Sequence, residues 1–342
     1  MPDLNAVARA IVAERRGILA ADESDGTIAK RFKSIGVEST EANRRAYREL
    51  LFTTAGIGEF ISGVIFFDET IRQAAADGTP FVKLLKEQGV ISGIKVDKGA
   101  KPMAGAPGET ITEGLDGLRD RLAEYVELGA QFTKWRAVIT IGDGLPTDRC
   151  IDANAEALAR YAALSQEAGL VPIVEPEVLM DGDHTIERCF AVTEATLHSV
   201  FSALYRHRVV LGDMLLKPNM ILSGTTCSQQ ADVQAVATQT IRCFRQAVPT
   251  AVGGIVFLSG GQTNEKATAH LNAMNAMAEA HPWQLSFSYG RALQEPPLKA
   301  WRGEAANLRK AQQAFHRRAQ LNGAARQGEY KSSMETELVG AS

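Results

Sequence analysis

No stretch of the 342 residues carries the roughly 18 consecutive apolar side chains that a membrane-spanning helix needs. The opening residues, MPDLNAVARAIVAERRG, are broken up by charge and make no signal-peptide core, so the sequence reads as cytoplasmic with no membrane partner. Cysteine is scarce. Cys150, Cys189, Cys227 and Cys243 form no C-x-x-C pair, and in a reducing compartment such residues are free thiols. The six histidines are scattered, with neither H-E-x-x-H nor H-x-H, which speaks against a zinc site. Neither G-x-G-x-x-G nor the Gly-Lys pair of a Walker A loop occurs. An excess of positive charge is missing too. Thirty-seven basic against 40 acidic side chains leave a net −3, so no global field draws nucleic acid or an acidic membrane. An anionic ligand must be met by a local site.

What is present is a core-forming composition, 45% hydrophobic and 23% charged, which excludes disorder. Eight short runs rich in apolar and β-branched residues recur: GILAAD from Gly17, FISGVIFF from Phe60, ISGIKV from Ile91, FTKWRAVI after Gln131, LVPIVEPE from Leu170, MLLKPNMI from Met214, GGIVFLSG from Gly253 and LSFSYG from Leu285. The seven steps from Gly17 to Leu285 average about 38 residues, the length of one βα unit. Helical periodicity lies between them. Leu115, Leu118, Leu122, Tyr125 and Val126 follow a candidate cap at Thr112, and a second helix is expected from Asp152 to Gly169. Near-continuous apolar strands alternating with helices predict an α/β fold, a single (β/α)8 TIM barrel. A doubly wound sheet is the competitor. Pro296 and Pro297 are expected to end the repeat, followed by a helical segment from Leu298 to about Ala325. The domain expectation is a barrel with its C-terminal helix over 1–327, then a mobile tail over 328–342.

Residues two apart share a strand face. Lys134 and Arg136 therefore point together, as do Glu175 and Glu177, and Lys95 and Asp97. Asp22, Lys217, Ser259 and Arg291 stand at or just past four other strand ends, so seven of the eight strands put a polar group near the face where such barrels carry their active sites. Unpaired charge there costs several kcal/mol, so the set implies a mutually neutralising pocket. Clustered lysines have a chemical use: a lysine pressed by other cations in a partly desolvated pocket is driven toward the neutral amine that attacks a carbonyl. Lys217 is the first choice, with Lys134 and Lys95 as neighbours, though pattern alone does not rank them. LSGGQ (Leu258 to Gln262) and SYGRA (Ser288 to Ala292) supply hydroxyls, glycines and an arginine at the strand-7 and strand-8 ends, where barrels often hold phosphate.

These residues resemble the class I, Schiff-base-forming fructose-1,6-bisphosphate aldolases. The motifs ILAADES, SIGVESTEANRRAYRELL, GIKVDKG, KWR, ARYA, VPIVEPEVLMDGDH, LLKPNM, FLSGGQ and FSYGRALQ stand in family order from about Gly17 to Trp301. The resemblance implies a homotetrameric barrel without cofactor or metal that cleaves fructose 1,6-bisphosphate reversibly to dihydroxyacetone phosphate and glyceraldehyde 3-phosphate. It implies that Lys217 forms the imine, that Glu175 exchanges protons, that Glu177 steadies the lysine network, that Asp22 meets the C4 hydroxyl and that Lys134 supplies nearby charge. For the C1 phosphate it implies Ser259, Gly260, Ser288, Gly290 and Arg291. For the C6 phosphate it implies Ser24, Thr27 (where serine is frequent) and Lys95, with Arg136 contributing to the pocket. The family commonly ends in a catalytic tyrosine, whereas the last tyrosine here is Tyr330; another acid such as Glu175, or a water, is then expected to protonate the enamine. A preference for another phosphorylated sugar, such as sedoheptulose 1,7-bisphosphate, is the alternative enzyme reading. A scaffold role is the alternative outside catalysis, and the cost of the retained charges weighs against it.

Overall fold

In the computed structural model, which describes residues 3–279 and 281–336, the eight apolar runs become the strands of one closed parallel barrel. In chain order they are β1 (Gly17–Ala21), β2 (Ile61–Phe66), β3 (Ile91–Lys95), β4 (Phe132–Ile139), β5 (Val171–Val178), β6 (Leu215–Leu216), β7 (Ile255–Phe257) and β8 (Leu285–Tyr289). The ring closes where β1 pairs with β8, Ile18 beside Ser288 and Leu19 beside Tyr289. Closure excludes the doubly wound sheet, which keeps two open edges. β6 is shorter than its apolar run because Pro218 has no N–H for the ladder. The N–H of Lys217 still donates to the Val174 carbonyl at 2.8 Å, which fixes where that side chain emerges.

The barrel interior is filled by Ile18, Ala20, Ile65, Phe132, Val171, Ile173, Leu215 and Val256. The Phe132 ring takes so much of this space that a Cβ on Gly93 would lie 2.2 Å from it. Only glycine fits there. Ala8, Ile11 and Val12 join the same cluster. The first two belong to a helix, Leu4–Ile11, whose cap Asp3 accepts from the Ala6 N–H at 3.1 Å. The sequence reading leaves this helix unassigned. It closes the N-terminal end of the barrel, so the polar residues face the open C-terminal end.

Several local expectations are corrected. Thr112 caps no helix: Ala100–Pro102 and Thr110–Thr112 form an antiparallel hairpin. The Thr110 and Thr112 hydroxyls donate to the Val138 and Arg136 carbonyls of β4 at 3.0 and 2.7 Å. The helix starts instead at Leu118, behind Gly117 in left-handed backbone. The helix expected from Asp152 begins four residues earlier, at Asp148, because the Thr147 side chain caps the Cys150 N–H at 3.2 Å. Pro296 and Pro297 lie inside a helix, Arg291–Trp301, and the break comes at Arg302 and Gly303 before a second helix, Leu308–Arg326.

The segment read as mobile from Gly328 is fastened over its described part. The Tyr330 N–H donates to Asn272 Oδ1 at 2.8 Å, and Arg318 Nη1 donates to both Glu335 carboxylate oxygens at 2.9 Å. The rest of that expected tail, 337–342, lies outside the described residues. All four cysteines are free thiols. Among the described residues no helix is long and apolar enough to cross a membrane.

Candidate active site

Alternation along β4 turns Trp135 outward, where it stacks on Tyr161 with centroids 5.5 Å apart, and Lys134 and Arg136 inward. Register sets their neighbours: Lys134 stands beside Lys95 of β3, and Arg136 beside Glu175 of β5. The result is a cavity of about 950 Å³ at the open end of the barrel. Asp22, Ser24, Thr27, Lys95, Lys134, Arg136, Glu175, Glu177, Lys217, Ser259, Gly260, Ser288, Gly290 and Arg291 all line it, so every residue singled out in the sequence reaches one space. Its lining carries ten lysines and arginines against seven carboxylates, a local balance of +3 in a chain of net −3. That is the local anion site the overall charge requires.

The three lysines are not equivalent. Lys134 Nζ lies 2.6 Å from Asp22 Oδ2 and 3.5 Å from Glu175 Oε2. Burial would lower its pKa, but Asp22, Glu175 and Asp97 outweigh burial and raise it above the ordinary lysine value, so it stays an ammonium. Burial would likewise raise Asp22, yet Lys134, Lys217 and Lys95 hold its carboxyl far below the usual range. Lys95 is bound twice by Asp97, at 2.5 Å to the carboxylate and 2.8 Å to the carbonyl. Lys217 pairs with Glu175, at 3.1 Å from Oε1, and with no other acid among the described residues. Glu175 therefore stands between two lysines, Oε1 toward Lys217 and Oε2 toward Lys134, with Oε2 making no hydrogen bond among the described residues.

On one side of this centre, Ser24 and Thr27 share a hydroxyl contact of 3.2 Å at the start of the helix Asp25–Lys33, whose dipole favours an anion. On another, the Ser288 hydroxyl is buried without a hydrogen-bond partner among the described residues. Arg291 donates to the carbonyls of Gly260, at 3.1 Å, and of Gln262, and reaches Glu295 only at 3.6 Å. Burial lowers the Arg291 pKa, and Arg31 nearby adds to the effect. A half-buried arginine and a buried hydroxyl lining one cavity are the groups an incoming dianion would engage.

The family profile described as Fructose-bisphosphate aldolase class-I matches residues 3–342. The chain is 59% identical to a probable fructose-bisphosphate aldolase class 1 of Xanthomonas campestris, covering 95% of this chain and 97% of the relative. It is 54% identical to the cytosolic fructose-bisphosphate aldolase 4 of Arabidopsis thaliana, over 94% and 81%. A solved fructose-bisphosphate aldolase of Plasmodium falciparum superposes with a TM-score of 0.95 at 48% identity, over 96% and 95% of the two chains. The chain belongs to the class I fructose-bisphosphate aldolase family. It is a carbon–carbon lyase of glycolysis, and its family cleaves fructose 1,6-bisphosphate through a lysine Schiff base.

Within this aldolase one expected contact is different. Glu177 pairs with Arg136 rather than with a lysine, because the long arginine reaches forward from β4 to the next inward carboxylate on β5. Sequence reasoning also passed over Glu23 and Arg31, which line the cavity and pair at 2.8 Å. Glu23 is further held by Arg48 at 2.5 Å and Gln294 at 2.7 Å. The signal was an acid beside Asp22 in ADES; Arg31 comes from the next helix, Asp25–Lys33, but Arg48 and Gln294 come from helices further along the chain.

Proposed function

We propose that Lys217 is the Schiff-base residue and that the other lining residues divide the work around it. The observation that carries this is the contrast among the lysines: Lys134 and Lys95 are each closed on an aspartate, while Lys217 pairs with Glu175 and with no other acid among the described residues. The Lys217 amine attacks the C2 carbonyl, and Glu175 exchanges the protons by which the carbinolamine loses water. The iminium then takes up the electrons of the C3–C4 bond. Asp22 orients the C4 hydroxyl; an acid held so low keeps a proton poorly, so the proton passes on to Glu175 across the Lys134 ammonium that both acids touch. Arg136 and Glu177 fix one another and keep that wall of the pocket in shape.

Ser259, Gly260, Ser288, Gly290 and Arg291 take the C1 phosphate, and Ser24, Thr27 and Lys95 the C6 phosphate. The unpaired Ser288 hydroxyl and the net positive lining support this. The chain works as one barrel domain over 1–327 with a short terminal segment over 328–342, in the cytoplasm, as a homotetramer, with a phosphorylated sugar as its partner and without cofactor, nucleic acid or membrane. The cytosolic Arabidopsis relative supports the compartment. The test is to incubate with dihydroxyacetone phosphate, reduce with borohydride and map the modified peptide. Label on Lys217, abolished in Lys217→Ala, is expected. Label on Lys95 or Lys134 would overturn the assignment.

A further inference from the structure

The loop that follows β7 is supported from behind by a sulfur. The backbone N–H of Gly261 donates to Met180 Sδ at 3.0 Å. The same sulfur lies 3.5 Å from where a Cβ on Gly260 would stand and 3.0 Å from one on Gly261. Both glycines therefore seat directly on the thioether, and Gly260 does so in left-handed backbone with φ of 54°. Met180 is absent from the lining of the large cavity. It lines a small void on the other side of Ser259, Gly260 and Gln262.

Its backbone is anchored. The Met180 carbonyl accepts from Thr225 N–H at 2.8 Å, the Gly182 carbonyl from Thr226 N–H at 2.9 Å, and the His184 carbonyl from Gly224 N–H at 2.8 Å. The loop after β5 is thus bolted to the segment after β6, and the thioether carries that rigidity to the loop after β7. On the cavity side the same loop is held by Arg291, through the Gly260 and Gln262 carbonyls. An anion that recruits Arg291 loosens that grip, and the Met180 contact is then what keeps Ser259 and Gly260 in place.

We propose that Met180 is a positioning residue for phosphate, acting through the Gly261 amide. This rests on the reading that Ser259 and Gly260 bind a substrate phosphate. A thioether suits the task because it is a weak acceptor that holds the amide without competing strongly for it, and because a methionine side chain follows small movements of the loop. It also makes the loop sensitive to oxidation. When hydrogen peroxide transfers one oxygen to Sδ, the O–O bond breaks, water leaves and the sulfur loses two electrons. The resulting sulfoxide is larger, polar and chiral, and no longer fits beneath two glycines.

The test measures the Michaelis constant and turnover with fructose 1,6-bisphosphate, and inhibition by inorganic phosphate, in wild type, Met180→Leu, Met180→Gln and Ser259→Ala. Leucine keeps the volume and removes the acceptor. Loss of one neutral hydrogen bond is expected to raise the Michaelis and inhibition constants of Met180→Leu about two- to tenfold, with turnover within about twofold. Glutamine, which restores an acceptor, brings them back. Peroxide reproduces the loss in wild type and adds nothing in Met180→Leu. Unchanged constants in Met180→Leu, no rescue by glutamine, or equal peroxide damage in Met180→Leu would each overturn the proposal. If Ser259→Ala also changes nothing, the phosphate reading itself has failed; if it weakens both constants while Met180→Leu does not, only the role of Met180 has.

Discussion

Asp22 and Lys134 touch at 2.6 Å with side chains only 12% and 4% exposed, and Arg291 lies in the same cavity with Glu295 at 3.6 Å and two backbone carbonyls as its acceptors. The first two charges are tightly paired; the third is held more loosely and has more to gain from an anion. Removing Arg291 should therefore cost binding and spare the fold. A charge-assisted phosphate contact contributes about 1.5–3 kcal/mol, or roughly 10- to 150-fold in affinity. Arg291→Ala should raise the Michaelis constant by that factor while circular dichroism and melting temperature stay near wild type. Unchanged kinetics would remove Arg291 from the site. Residues of this kind are legible in the sequence because strand alternation and the strand-end rule need only local spacing. Pairing is not. That Glu177 takes Arg136, Glu23 takes Arg48 and Gly261 takes Met180 depends on the stagger between strands and on elements far apart in the chain.

At the level of elements, apolar runs and their spacing were enough to place all eight strands, since a buried parallel strand must be apolar on both faces. Helix starts were less legible, because Thr112 and Thr147 are equally good caps in isolation. The Thr112 hydroxyl is drawn instead to a β4 carbonyl. The described part of the terminal segment is fastened, which was illegible for a similar reason: a polar stretch looks mobile until its partner is known. Arg318 is buried and Glu335 supplies its carboxylate, with the Tyr330 hydroxyl donating to the same acid at 2.8 Å. Glu335→Ala should leave a buried cation uncompensated and lower stability by about 1–3 kcal/mol, read as a fall in melting temperature. Turnover should stay within about twofold, since neither Arg318 nor Glu335 lines the cavity. A loss of turnover at unchanged melting temperature would show instead that this clasp serves the chemistry.

For the whole molecule, the shifted groups of the site define a pH window. Asp22 is depressed below its ordinary 3.8, so its contribution to stability is present above that pH and is lost as pH falls below it. Lys134 is raised above its ordinary 10.5, so its contribution is present below that pH and is lost as pH rises past it. The difference in melting temperature between wild type and Lys134→Met should hence be flat from about pH 5 to 9 and shrink outside that range. A steep change between about pH 6 and 8 would mean that some other group governs the pair. The helix Leu4–Ile11 has a consequence of a different kind. With the barrel filled by Phe132 and its neighbours and this helix packed beneath them, the lysine cavity has its mouth at the C-terminal end of the strands, so substrate, both products and the water of hydrolysis share that route. On the proposed role of Lys217, one product stays covalently held while the other is free, so the order of departure follows from the bond and not from the shape of the shaft.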